Sequence, residues 1–194
     1  MSQGISLIAG LGNPGPEYAE TRHNAGFRFL DAVLSGSAAA LRRESRFNGD
    51  VARVDIGGRE VWLLAPQTFM NHSGESVAKF ANYYRIPVGE ILVVHDELDL
   101  PPGTVRLKKG GGVAGHNGLK DIAARLGPEF WRVRIGIGHP GDRAAVMNYV
   151  LHPPREEETR LISDAIERSL EVWPMIFAGE MEKAMHRLHT QPKD

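Results

Sequence analysis

The 194-residue sequence predicts an α/β class fold in three layers, α/β/α, with helices on both faces of one sheet. Three observations carry that expectation. Short, continuous apolar runs at 7–9, 61–64 and 91–94 read as strands buried on both faces. Segments with helical spacing separate them, and strands that alternate with helices build layered α/β domains. Gly57-Gly58 joins two strand-like runs as a hairpin, so at least one pair is antiparallel and the sheet is mixed. No internal repeat, low-complexity tract or linker interrupts the pattern, so residues 1–194 read as a single domain.

In chain order, the run at 7–9 enters a glycine-rich turn, and 26–34 (GFRFLDAVL) places Phe27, Leu30 and Leu34 at helical spacing. Residues 51–56 alternate and turn through Gly57-Gly58 into 61–64. Asn71 to Glu75 supply helix-start residues ahead of Val77, Phe80, Ala81 and Tyr84, and Ile86-Pro87 is the stop. The strand at 91–94 runs into His95-Asp96-Glu97-Leu98-Asp99. A strand at 105–107 ends at Gly110-Gly111-Gly112, and 117–126 is helical up to Gly127-Pro128. Residues 131–137 alternate as a strand. Pro153-Pro154 precede a Glu-rich helix from 155 to about 173, and a short helix closes the chain.

Composition excludes several chemistries. There is no cysteine, hence no disulfide framework, thiol nucleophile or cysteine-ligated zinc. The start, Met-Ser-Gln-Gly, lacks a basic and apolar leader, and no apolar run reaches membrane-spanning length, so the expectation is a soluble cytoplasmic protein. The net charge of −1 hides an asymmetry. Residues 104–143 hold eight Lys/Arg against three acids, whereas 155–183 hold four against eight. Local fields, not the total, steer a polyanion.

Gly10-Leu11-Gly12-Asn13-Pro14-Gly15 spells G-x-G-x-x-G after a strand, the pattern of a dinucleotide site. Such a site needs a helix opening at the third glycine and an acid at the end of a second strand. Here Pro14 and Pro16 stiffen the loop, and Asp31 falls inside a helical pattern. The glycines are better read as a tight turn, which leaves Asn13 and Arg22-His23-Asn24 in need of a role.

Polar groups recur at comparable places. Asn13 follows the first strand, Gln67 to Asn71 follow 61–64, Asp96 follows 91–94, and Gly115-His116-Asn117-Gly118 precede a helix. Ligands of open α/β sheets collect at the carboxyl ends of strands. With no G-x-S-x-G elbow and no cysteine, the fitting chemistry is hydrolysis by activated water. A histidine takes the proton, a carboxylate orients it, and asparagine amides face the developing oxyanion. Other readings remain open at this point. Asp96, Glu97 and Asp99 are compatible with a hard-metal site, and Asn71 and Asn117 with plain helix caps. His186 and His189 read as surface residues, and the glycine run at 110–112 as a flexible loop.

GLGNPGPEYAETRHNAG, PQTFMNHSGESV, HDELDLPPG, GHNGLKDI and RIGIGHPGD occur in this order, and together they closely resemble the bacterial peptidyl-tRNA hydrolase family. The resemblance implies a twisted mixed sheet flanked by helices. It also implies an esterase that cuts the bond joining a peptide to the terminal adenosine of tRNA. By the same resemblance His23 matches the catalytic base and Asp96 the acid that orients it. Asn13, Asn71 and Asn117 match the asparagines that position substrate and carbonyl. Tyr18, Met70 and His116 match the lining of the cleft for the 3′ end and first peptide unit. Lys108 and Arg134 match a clamp on the tRNA 5′-phosphate. The family implies a cytosolic monomer whose partner is peptidyl-tRNA, met at its acceptor stem, with no cofactor, no metal, no membrane and no obligatory protein partner. Val113-Ala114 departs from the His-Gly usual there, and a non-catalytic tRNA-binding protein is the alternative reading.

Overall fold

Leu7, Ile8 and Ala9 are all fully buried, and the strand they open lies in the middle of the sheet. In the computed structural model, which describes residues 4–113 and 115–190, β1 (Leu7–Gly10) pairs in parallel with β4 (Arg59–Pro66) and β5 (Ile91–Glu97). On one side β4 pairs antiparallel with β3 (Gly49–Ile56), and β3 with the short edge strand β2 (Arg42–Glu44). On the other, β5 pairs in parallel with β7 (Trp131–Gly136), and β7 antiparallel with β6 (Val105–Lys109). The seven strands run in the order β2-β3-β4-β1-β5-β7-β6, the mixed sheet the hairpin requires. Gly57 and Gly58 have φ of 62° and 83°, the left-handed values a two-residue hairpin turn demands.

Side chains alternate across a strand, so consecutive residues feed different cores. Ile8, Val94 and Ile135 join one core with Leu30, Ile166 and Ile176. These belong to α1 (Ala25–Ser35), α5 (Glu156–Glu171) and α6 (Trp173–Phe177), and α7 (Met181–His189) closes the same layer. Leu7, Leu64 and Val93 meet Val77, Phe80 and Leu119 on the opposite face, under α2 (Ser73–Tyr83) and α3 (Asn117–Leu126). A one-turn helix, α4 (Val146–Val150), sits beside the loop that follows β7.

Three details differ from the sequence reading. The buried stripe of α1 is Ala25, Gly26, Phe29 and Leu30, rotated from Phe27, Leu30 and Leu34. Phe29 is drawn in by the Trp173 ring, edge-on at 5.4 Å, a partner that local spacing does not reveal. The helix expected over 155–173 stops at Glu171 and restarts at Trp173, with Pro174 in the first turn of the new helix; proline fits that position and breaks an interior one. β2 and α4 have no apolar period to announce them: all three β2 residues are exposed, and α4 is five residues long.

The G-x-G-x-x-G loop leads to a single turn at Pro16–Tyr18, and α1 begins only at Ala25. No long helix therefore opens at the third glycine, and Asp31 lies exposed in the middle of α1. Close packing explains the first two: a Cβ on Gly10 would strike the Gly26 carbonyl and Leu30, and one on Gly12 the Phe27 ring at 2.8 Å. Gly26 in turn lies against the Leu11 backbone and the Val94 carbonyl. The start of α1, and with it the His23 turn, is thereby pressed onto the ends of β1 and β5. Among the described residues, no helix is long and apolar enough to cross a membrane.

Candidate active site

β5 is buried along its whole length, and its polar carboxyl end is buried with it. His95 and Asp96 leave opposite faces of the sheet there. The Asp96 side chain is 2% exposed and takes two histidines. His23 Nδ1 lies 2.9 Å from Oδ2, and His116 Nε2 lies 2.8 Å from Oδ1. The His23 and His116 rings stand 5.3 Å apart.

Hydrogen bonding fixes both tautomers. His116 is the N-cap of α3, and its Nδ1 accepts the Leu119 N–H at 3.2 Å, so Nε2 carries the proton given to Asp96. Burial works against the Asp96 carboxylate. The electrostatic attraction of the His23 and His116 rings and the hydrogen bonds from both outweigh burial and hold the acid well below the usual carboxylate range. An ionised carboxylate only accepts, so His23 Nδ1 is also a donor and its Nε2 keeps the lone pair. Burial lowers the His23 pKa, but the charge and hydrogen bond of Asp96 prevail and raise it above 6.5.

The turn bearing His23 is held from two sides. Arg22 stacks on the Tyr149 ring at 3.9 Å, donates to the Tyr149 carbonyl at 3.1 Å, and pairs with Glu158 at 3.3 Å. Asn24, 1% exposed, accepts the Asn13 N–H at 2.8 Å and donates to the Asn13 carbonyl at 2.9 Å. Asn13 Oδ1 then accepts the Met70 N–H at 2.7 Å. The loops after β1 and β4 and the His23 turn are thus sewn together through asparagine amides. The acceptor role of Oδ1 turns the Asn13 amide nitrogen away from Met70, available to another acceptor.

The other expected residues lie as follows. Met70 is buried, with its sulfur against Gly118, where a Cβ would stand 2.7 Å from it. Tyr18 meets the exposed Phe69 ring edge-on at 6.2 Å. Asn71 and Asn117 are exposed. Neither caps a helix: His72 and His116 occupy those positions. Asn117 lines a cleft with His23, Asp96, His116, Met147 and Val150. Lys108 is exposed and lies over Gly111, whose φ is +89° and where a Cβ would meet the Lys108 Cε at 2.6 Å. Arg134 gives its Nε–H to Glu97 at 2.8 Å. Arg134 lies opposite His95 on the neighbouring strand, whereas Lys108 sits apart from the histidines. From the pairing of Asp96 with Ile135 and of Lys108 with Arg132, strand spacings put Lys108 roughly 14 Å from Asp96, backbone to backbone.

His23, Asp96 and His116 offer three ligand atoms within 4.8 Å of one another, enough to hold a metal ion. In the present arrangement those atoms are spent on each other, and a cation would have to displace both ring protons. The carboxylate-rich site that the sequence also admits does not assemble in that form: Glu97 is turned to Arg134 and Arg132.

The sequence model described as peptidyl-tRNA hydrolase matches residues 7–194. A peptidyl-tRNA hydrolase of Nitrosomonas europaea is 54% identical over 191 residues, covering 98% of each protein. One of Nitrosospira multiformis is 58% identical over 188 residues, 96% of this chain and 98% of that protein. The chain belongs to the peptidyl-tRNA hydrolase family. The crystal structure of peptidyl-tRNA hydrolase from Acinetobacter baumannii superimposes with a TM-score of 0.95 at 45% identity, over 98% of this chain and 97% of that one.

Within this peptidyl-tRNA hydrolase fold, sequence reasoning missed Asn24, which holds the Asn13 backbone beside the His23 turn, and the buried contact of Arg132 with His95 behind the site. Asn24 belongs to the polar cluster Arg22-His23-Asn24, which was a usable signal. His95 and Arg132 left none, because their importance lies in pairing with each other across two strands. The Val113-Ala114 departure is half accounted for: Val113 packs beside the α3 core and accepts the His116 N–H at 2.8 Å, while Ala114 lies outside the described residues.

Proposed function

We propose that this chain hydrolyses the ester between a peptide, or an N-blocked aminoacyl group, and the 3′ end of tRNA, with His23 as general base. The observation that carries the reading is Asp96, buried and ionised, with His23 Nδ1 locked onto it and His23 Nε2 free. Nε2 takes a proton from water as the water oxygen attacks the ester carbonyl carbon. The tetrahedral oxyanion then collapses, the bond to the ribose oxygen breaks, and His23 returns the proton to that oxygen. The products are a free carboxylic acid and tRNA with its terminal hydroxyl restored. General-base help of this kind is worth about 10²–10⁴ in rate. Asp96 stays ionised throughout, stabilising the imidazolium and fixing the tautomer.

In this reading Asn13, Asn71 and Asn117 supply amide donors to substrate and oxyanion, each such donor being worth on the order of 10²–10³. Tyr18, Met70 and His116 line the seat of the 3′ end and first residue. Lys108 and Arg134 meet tRNA phosphates near the 5′ end, and recognition is of backbone and shape, since duplex RNA offers side chains little readable sequence. No metal or cofactor enters the step, and the whole chain works as one cytoplasmic, monomeric domain. Purified protein should release tRNA from N-acetyl-aminoacyl-tRNA in excess EDTA, and His23→Ala should lose nearly all of that release. Full activity in the variant would overturn the assignment. Salt-sensitive tRNA binding without turnover by the wild type would leave a binding protein instead.

A further inference from the structure

Arg132 is a cation buried to 2% exposure, so it touches no tRNA, and the proposed reaction leaves it without a role. Its Nε and Nη1 are nonetheless engaged by hydrogen bonds. Nη1 donates to the carbonyls of Gly110 at 3.1 Å and Gly112 at 3.0 Å. These flank Gly111, the residue over which Lys108 lies. Nε donates to His95 Nε2 at 3.3 Å, and His95 Nδ1 bonds the Asp96 carbonyl at 2.8 Å. Burial and the neighbouring His116 and Arg132 keep His95 neutral, as an acceptor facing an arginine must be. The His95 ring stands edge-on to His116 at 5.1 Å. Glu97 faces both Arg132, at 3.8 Å, and Arg134, at 2.8 Å.

We propose that Arg132 is a positioning residue that couples the glycine loop under Lys108 to the Asp96–His116 pair, so that a tRNA phosphate held at Lys108 sets the catalytic carboxylate. The proposal rests on the tRNA-ester reading above. One guanidinium ties two loop carbonyls to the backbone of the residue that orients His23. Only arginine offers donors in this planar fork, and lysine, a single point charge, would keep the charge beside Glu97 but hold one end at a time. The loop has three successive glycines and two positive φ values, at Gly110 and Gly111, so its shape depends on what its carbonyls bind rather than on its own side chains. Other families of contact do not substitute: among the described residues no other side chain donates to these two carbonyls.

The test compares two substrates, full-length N-acetyl-aminoacyl-tRNA and the N-acetyl-aminoacyl ester of the 3′-terminal fragment. Coupling predicts that Arg132→Lys shrinks the kcat advantage of the full-length substrate about tenfold, while turnover of the fragment changes less than threefold. Equal losses on both substrates would mean a merely structural role and overturn the proposal. A second measurement uses the wild type and so is independent of folding in the variant. The Arg132 Nε–H resonance should shift on adding a 5′-phosphorylated acceptor-stem duplex, and shift less with its 5′-hydroxyl counterpart. A resonance that ignores the phosphate overturns the coupling. If the wild type releases neither ester, the functional reading itself has failed and this inference with it; if it releases both and the ratio holds in Arg132→Lys, only the coupling fails.

Discussion

At the carboxyl end of β5, charge is buried and every contact has a direction: Asp96 is 2% exposed, and each of its oxygens is matched to one ring nitrogen. Along β6 and β7, Arg106, Lys108, Arg132 and Arg134 lie on one face in paired register, and Glu97 is the acid set among them; Arg132 is buried and held by directed contacts, but Lys108 is exposed. The first region is built for one proton at one atom. The exposed charges of the second act as a field, which attracts phosphate without demanding a fixed angle. The two kinds of residue should therefore fail in different ways: removing a contact to the reacting histidine affects any substrate, whereas removing a charge at the phosphate surface affects only the substrate that reaches it.

The largest effect is expected at His23. His23→Ala should reduce ester release by about 10²–10⁴, and equally for full-length tRNA ester and 3′ fragment. A much larger loss on the full-length substrate would merge the two regions into one. Asp96→Asn comes next, with a loss of up to about 10⁴ on both substrates, since an amide cannot match the charge that stabilises the imidazolium or hold its tautomer. Single-turnover rates on the two esters check it. Lys108→Glu should be milder, about tenfold on full-length tRNA ester and near unity on the fragment. Its logarithmic salt slope should flatten by about one phosphate contact. An unchanged slope would remove Lys108 from the phosphate surface. The smallest effect concerns the support of the first region, where the Asn24 amide bonds the Asn13 backbone twice. Asn24→Ala should lower stability by about 1–3 kcal/mol, the cost of leaving buried partners unpaired, read as a lower thermal midpoint.

The same contrast decides what was legible in the sequence. Strands such as Leu7–Gly10 and the Gly57-Gly58 hairpin write their structure locally, as apolar runs and positive-φ glycines, and the structure returns them within a residue or two. The helix at Asn117–Leu126 matches its expected bounds because Gly127 and Pro128 end it by local chemistry. Local signals fail where a distant partner decides. The stripe of α1 turns toward Trp173, which lies more than a hundred residues later in the chain. The rule that ligands collect at strand ends gathered Asp96 with the segment 115–118, while the roles of His23 as base and Asp96 as its acid came from the family resemblance. That His116 shares the same carboxylate was not readable, because His116 reaches Asp96 from the head of α3 at the carboxyl end of β5. Arg132 looked like one more cation in a basic stretch. Its burial comes from the glycine loop folding over β7, an event no spacing within 131–137 encodes.

The G-x-G-x-x-G loop shows how a pattern is resolved by its packing. Gly10 and Gly12 are small because α1 presses on them, and their role is to let the His23 turn reach the end of β5. No phosphate is needed to explain them.

The central claim is that Asp96 tunes His23 to be the base. The base must be neutral, so activity falls as pH drops through the His23 pKa. Because Asp96 raises that pKa above 6.5, the acid limb of kcat/KM for N-acetyl-aminoacyl-tRNA should lie above that value in the wild type. In Asp96→Asn the raising charge is gone and burial remains, so the limb should move to lower pH even as the plateau falls. A limb that keeps its position in Asp96→Asn would contradict the account.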